Sequence, residues 1–287
     1  FNVNKARVHA KKKWDNGYSV KVQGDFASSA GGTTDSGEDV DGDFGTFAIK
    51  DAYVRFPAGN LHGTLGHFKT PFLRSGLVSS SKQFFLTRTL NGAEWGSRDA
   101  GAKIEGSFDK LDYSLAAMNS DGGDTSFLLA GRLGFQLTGE KLNGWEGAYG
   151  YDSGSPSVYV AVSFADDDAS GTPGDDEDHS AFGFEAHAVT NVYSVSFETV
   201  SYSDGGLDSY GTVDNAPLSF TGTYMLTPET WELGVRYDDH DNDDNENTIT
   251  VGANHYLNGH GLKWTYQYEM VSSDNDDAED NNLRVGL

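Results

Sequence analysis

The sequence predicts an all-β fold, a transmembrane antiparallel β-barrel of about 16 strands with one loop folded inward, formed by residues 1–287 as a single domain. Three observations predict it. Apolar residues alternate with charged or small polar ones in about fifteen successive segments, the period of a strand with one apolar face. The segments are joined alternately by short turns and by long polar loops, as in a barrel with two unlike rims. No apolar run reaches the roughly 18 residues of a membrane helix, and barrel strands, apolar only at every second position, need none.

The elements follow in order. Lys5 to Lys13 sets Ala6, Val8 and Ala10 against Lys5, Arg7, His9 and Lys11. The hairpin signal Asp15-Asn16-Gly17 leads into Tyr18, Val20 and Val22, opposed by Ser19, Lys21 and Gln23. After a Gly/Ser/Thr/Asp loop from Ser28 to Gly45, Ala52, Val54 and Phe56 oppose Asp51, Tyr53 and Arg55. Pro57 to Asn60 turns the chain into a strand from Leu61 to Phe68, on which either Gly66 or His67 could face inward. Beyond Trp95, Ala102, Ile104 and Phe108 oppose Lys103, Glu105 and Ser107. A turn at Asp109-Lys110 then precedes Leu111, Tyr113 and Leu115. Phe127, Leu129, Leu133, Phe135 and Leu137 keep Arg132 and Gln136 on the other side. The connection from Glu140 to Ser155 is long for the short-turn side.

The second half repeats the pattern. Val158, Val160, Val162 and Phe164 share a face, and Phe182, Phe184, Ala186 and Ala188 oppose Glu185 and His187. A turn at Thr190-Asn191 leads to Tyr193, Val195 and Phe197, opposed by Glu198. Leu218, Phe220, Tyr224 and Leu226 follow, then Trp231, Leu233, Val235 and Tyr237 with Glu232 and Arg236 opposite. Ile249, Val251 and Ala253 lead through Asn258-Gly259-His260-Gly261 to Leu262, Trp264, Tyr266, Tyr268 and Met270, opposed by Lys263, Gln267 and Glu269. Leu283, Val285 and Leu287 close the series with Arg284 opposite.

Asp plus Glu is 44 against 20 Lys plus Arg, a net charge of −24, which argues against nucleic acid as a partner. The loops at 35–43, 166–178, 238–246 and 274–280 hold 23 of the 44 carboxylates, so the acidity concentrates on one rim. There is no cysteine, hence no disulfide framework and no thiolate metal site. The chain opens on Phe1 with nothing resembling a signal peptide, so any export signal is expected either to have been removed or to lie outside this sequence.

Alternation by itself leaves a soluble all-β protein open. The membrane barrel is favoured by the opposite face, which combines charge with small polar residues as a water-filled lumen requires. A Lys or Arg on the lipid face near midplane would cost roughly 2–4 kcal/mol, and the clearest strands carry none there. Tyr18, Phe56, Phe108, Phe164, Trp231 and Tyr237 lie near strand ends, where interfacial girdles form.

One long connection departs from the acidic background. Residues 69–95 carry Lys69, Arg74, Lys82 and Arg88 against the single carboxylate Glu94. This stretch is expected to fold into the bore as a pore-constricting loop. Its cations would lower the barrier for small anions, or would pair with lumenal carboxylates and hold the loop in place.

Chemistry beyond passage has little support. Asp238 to Asp244 and Asp274 to Asp277 invite calcium, yet neither keeps the Gly and terminal Glu of a calcium-binding hand, and they read as solvated loops that could bridge lipopolysaccharide through divalent ions. Glu185 and His187 read as a lumenal polar pair. There is no Gly-x-Ser-x-Gly, no His-Glu-x-x-His and no phosphate-binding Gly-rich loop, so neither catalytic residues, metal ligands nor a cofactor are expected.

Several pieces resemble the phosphate-selective porin O and P family of Gram-negative outer-membrane channels. They are Phe1 to Phe26 with its Ala-Arg-Val strand, Trp14, Tyr18 and terminal Gly-Asp-Phe; Lys50-Asp51-Ala52-Tyr53-Val54; Leu65-Gly66-His67-Phe68-Lys69-Thr70-Pro71-Phe72; Ser80-Ser81-Lys82; and, near the end, Asn254 to Asn258 with Leu262-Lys263-Trp264. The resemblance implies a sixteen-stranded porin in the outer membrane, usually a homotrimer, with one strand ahead of Phe1. Its surroundings would be lipid and lipopolysaccharide, and it would pass small hydrophilic solutes and ions, anions such as phosphate among them. The solute path it implies comprises His67, Lys69, Arg74, Lys82 and Arg88, with Arg55, Arg98, Lys103 and Arg132 on the lumen wall. This chain has His67 where the family usually has Arg, and Asp51, Glu105, Glu185, Glu198 and Glu269 share the lumen, so the solute stays open. A sleeve around a partner protein and a soluble binding protein are the other readings.

Overall fold

The alternation becomes pairing between chain neighbours. The computed structural model describes residues 5–26, 47–119, 127–167, 179–203, 215–242, 245–274 and 281–287. Among them are strands β1 (Arg7–Lys13), β2 (Ser19–Asp25), β3 (Ala48–Ala58), β4 (Leu61–Lys69), β5 (Arg98–Phe108), β6 (Leu111–Asn119), β7 (Phe127–Thr138) and β8 (Ser157–Asp167). The series continues with β9 (His179–Val189), β10 (Tyr193–Ser203), β11 (Leu218–Thr227), β12 (Trp231–Asp239), β13 (Asn247–Tyr256), β14 (Lys263–Ser272) and β15 (Asn281–Gly286). They form one 15-stranded sheet in chain order, with each pair antiparallel. The acidic loop expected at 35–43, and most of those at 166–178 and 274–280, lie outside the described residues.

Register keeps like faces together. Val54 pairs with Val20 and Leu65, Leu65 with Ala102, and Leu233 with Tyr224 and Ala253. The burial that results is the inverse of a water-soluble protein's. Leu65, Phe164, Phe182, Tyr224, Leu233 and Val235 are exposed, while Glu185, Glu232, Arg236, Asn254 and Gln267 are buried. A sandwich would bury the first set, because apolar area removed from water is what holds its sheets together. Here that set forms an outer surface suited to lipid. Rings gather at the short-turn end, where Trp231 stacks on His255 at 4.3 Å and Tyr18 faces Phe56 at 6.5 Å.

The sheet encloses residues 70–97. Helical turns at Arg74–Leu77 and Leu90–Glu94 flank a run with a 3-10 turn at Ser80–Lys82, and the Thr89 hydroxyl caps the turn at Leu90 by accepting from the Gly92 N–H at 3.1 Å. The loop touches both ends of the strand order. Arg7 on β1 donates to the Ser80 hydroxyl at 2.9 Å, and Leu86 lies against Gly286 of β15. The sheet therefore curls around it. Phe72 and Trp95 stack at 3.8 Å and pack with Ala130, Ala165, Ala181, Val200 and Tyr202. Small inward side chains on β7, β8 and β9 leave the room this cluster fills.

Candidate functional site in the barrel bore

The loop lies against one side of the bore. An extended backbone brings an N–H and a C=O at every residue, and once buried these need partners. The inward faces of β8 to β14 supply them. Glu185 accepts from the Arg74 N–H at 2.7 Å, Gln267 from the Leu86 N–H at 2.7 Å and Asp238 from the Leu90 N–H at 3.2 Å. Glu269 and Glu198 accept from the hydroxyls of Thr87 and Thr89. Donors answer the carbonyls: Asn254 bonds the Phe84 oxygen at 2.9 Å, Arg236 the Thr87 oxygen at 3.0 Å, and Lys263 the Gln83 oxygen. Each bond to a charged partner contributes about 1.5–3 kcal/mol. Carboxylates that would otherwise face an aqueous lumen are thus committed to holding the loop.

Shape follows the same wall. A Cβ at Gly234 would sit 2.3 Å from Phe84 and one at Gly286 2.5 Å from Leu86. Glycine is what lets the loop's apolar side chains seat directly on the strands.

The other side of the bore is open. Between the loop and strands β1 to β8 lie two adjoining cavities of about 520 Å³ and about 260 Å³, which share Arg55, Leu77, Ser79, Lys103 and Glu105. Their walls carry Arg7, Lys21, Arg55, Lys69, Arg74, Arg98, Lys103, Arg132 and Lys141 against Asp51, Glu105 and Asp112. Each of the first two carboxylates is clamped by two cations. Asp51 meets Lys21 and, at 2.6 Å, Arg98; Glu105 meets Arg55 and Lys103, both at 2.6 Å. Asp25 pairs Arg7 at 2.7 Å and Glu185 pairs Arg132, so even with these two included the cations outnumber carboxylates nine to five.

The residues singled out from the sequence divide into two groups and two single positions. Arg55, Lys103, Arg98 and Arg132 line the open side, with Arg132 also donating to the Tyr159 hydroxyl at 2.9 Å. Lys69, Arg74 and Arg88 bind main-chain carbonyls. Lys69 donates to Gly76, Leu77 and Val78, Arg88 to Ser75 and Val78, and Arg74 to Asn143 and Trp145. Lys69 and Arg74 still border the cavities, whereas Arg88 does not. Lys82 sits at the loop tip with its ammonium 5.7 Å from the centre of the Trp145 ring. His67 is apart from all of these. It pairs with Ala52 and Ala100, on the face of Val54 and Ala102, and its Nδ1 lies 2.7 Å from the Lys50 carbonyl.

Against known proteins, no family model matches the sequence, and no curated protein matches it. Solved structures do match the fold. An in-vitro folded OmpT of Vibrio cholerae in its trimer form gives a TM-score of 0.59 at 12% identity, covering 98% of this chain and 87% of that one. The outer-membrane channel DcaP of Acinetobacter baumannii gives 0.58 at 14%, covering 99% and 84%. The anion-selective porin from Comamonas acidovorans gives 0.58 at 12%, covering 99% and 85%. The fold is that of an outer-membrane β-barrel. Likenesses at this identity speak for the fold of the barrel and leave its chemistry to its own residues.

Two parts of the barrel's interior escaped the sequence. Lys21 shares the inward parity of Ser19 and Gln23, so alternation alone could have added it to the path. Residues 139–156 are the larger omission, since they too turn inward. Their Trp145, Tyr149 and Tyr151, unusual in a turn exposed to water, were the available signal. Among the described residues no group of three or more His, Asp or Glu is placed to share a metal ion.

Proposed function

We propose that the protein is an outer-membrane porin of a Gram-negative bacterium, a passive diffusion channel for small hydrophilic solutes and ions. Residues 1–287 form its single barrel domain, and residues 69–95 act as the constriction. Solutes pass between this loop and the wall of β1 to β8, and anions are favoured. The observation that carries the reading is the excess of cations around the open cavities in a chain whose net charge is −24. Charges that close together act within a Debye length of about 8–10 Å, and low-dielectric walls focus their field. Arg55, Arg98, Lys103 and Arg132 form the anion path, with Lys69 and Arg74 at its edge.

A phosphate preference is the narrower form of the reading, supported by the sequence resemblance and by clamped carboxylates that orient their cations. A homotrimer in lipid and lipopolysaccharide is the expected assembly, and the trimer form of the similar OmpT structure supports it. A sleeve around a partner protein is disfavoured because the chain's own loop fills half the bore.

The test is conductance in planar bilayers. Purified protein is expected to open channels with a reversal potential on the anion side, and phosphate is expected to reduce chloride current. Absence of conductance above background would sink the porin reading, and cation selectivity would sink the assigned path.

A further inference from the structure

We propose that residues 139–156 form a strap across the short-turn mouth of the barrel, which latches the tip of the 69–95 loop and closes the β9 to β14 half of the bore. The proposal builds on the channel reading above and assigns this segment a role of its own. The strap leaves the wall between β7 and β8 and reaches the far side. There Glu232 on β12 accepts from the Ala148 N–H at 2.6 Å, and the Tyr149 ring lies tilted against that of Tyr256 of β13 at 4.3 Å. Between these anchors Ala148 packs with Val189 and Met225.

The strap also grips the loop tip through both backbones. The Glu146 N–H donates to the Lys82 carbonyl at 3.0 Å, and the Glu146 carboxylate accepts from the Phe84 N–H at 3.0 Å. Arg74 extends from the loop to the carbonyls of Asn143 and Trp145. A connection whose only task was to join two strands would need about two to five residues and no buried partners. Behind the strap and the loop lies a small cavity of about 50 Å³, bordered by Ser196 of β10. Its size fits a side route that is shut.

The chain has no cysteine, so one can be introduced as a clean reporter. Ser196→Cys places a thiol on the inward face of β10 at the wall of that cavity, away from the strap's Glu232 anchor. In membranes it is expected to react with a charged maleimide at least about tenfold more slowly than in the same protein with Trp145–Tyr151 replaced by two glycines, because protected sites react only on local opening. The shortened channel is also expected to conduct about twofold more, since conductance follows the open cross-section. Trp145→Ala with Glu146→Ala, expected to move both readouts the same way, serves if the shortened chain does not fold. Equal labelling rates, or unchanged conductance in a labelled variant, would overturn the proposal. If the native protein conducts nothing, the porin reading fails, while the labelling still reports on the strap.

Discussion

The two sides of the bore use the same alternation for opposite ends. On β8 to β14 the inward polar residues meet the loop's main chain. Glu185, Gln267 and Asp238 receive its N–H groups, and Asn254, Arg236 and Lys263 bind its carbonyls. On β2 to β5 they meet one another, across strands or along one, as Lys21–Asp51–Arg98 and Arg55–Glu105–Lys103, and keep water-facing positive charge in excess. Both sides engage their inward charges. Only one leaves charge over for a passing solute. An inward charge therefore says little about selectivity until its partner is known, and most carboxylates of the loop-bearing wall are occupied.

The largest effect is expected when the loop is forced off its wall. Gly234→Leu collides with the Phe84 ring and is expected to destabilise the folded barrel by about 1–3 kcal/mol or more, the usual range for overpacking. The loop would come loose, seen as noisier current and a lower temperature of heat-induced mobility shift on gels. Gly222→Leu, on the lipid side of neighbouring β11 with nothing within 4 Å, is the control and should change neither. Equal effects of the two would mean that the wall does not seat the loop.

A smaller effect is expected from acid. His260 lies in the turn between β13 and β14, among the rings of Trp145, Tyr149 and Tyr256. Burial, aided by Lys263 and Lys82, lowers its pKa from 6.5 to about 3. A freed ring takes up a proton first as pH falls, so strap docking is strongest above pH about 6.5 and weakens progressively toward pH about 3. Labelling of Ser196→Cys is expected to accelerate across that window, and His260→Phe should flatten the dependence. An identical pH profile in both proteins would remove His260 from the account.

Much of the barrel was legible because a membrane strand writes both of its environments into every second residue. Phe182 and Phe184 against Glu185, or Leu233 and Val235 against Glu232 and Arg236, fix the faces before any pairing is known. The basic loop could be read as inward-folded, since its charge departs from the rims. What each cation does could not be read. Lys69 and Arg88 carry the same charge as Lys103, but the first two spend it on carbonyls of their own loop, a choice set by three-dimensional closure. His67 next to Gly66 left the parity of its strand open, and only pairing with Ala52 and Ala100 placed it on the outer face. The Glu140–Ser155 connection lacked any period, so its course across the mouth was invisible to an argument built on alternation.

If the cations of the open side, Arg55 and Lys103 foremost, set which ions pass, single-channel selectivity must follow their charge. The most direct test is the reversal potential of single channels in a tenfold salt gradient, for the native protein and for Arg55→Glu with Lys103→Glu. The native channel is expected to show an anion-side potential, and the variant a shift of at least about 10 mV toward cations at similar conductance. The same potential in both proteins would contradict it.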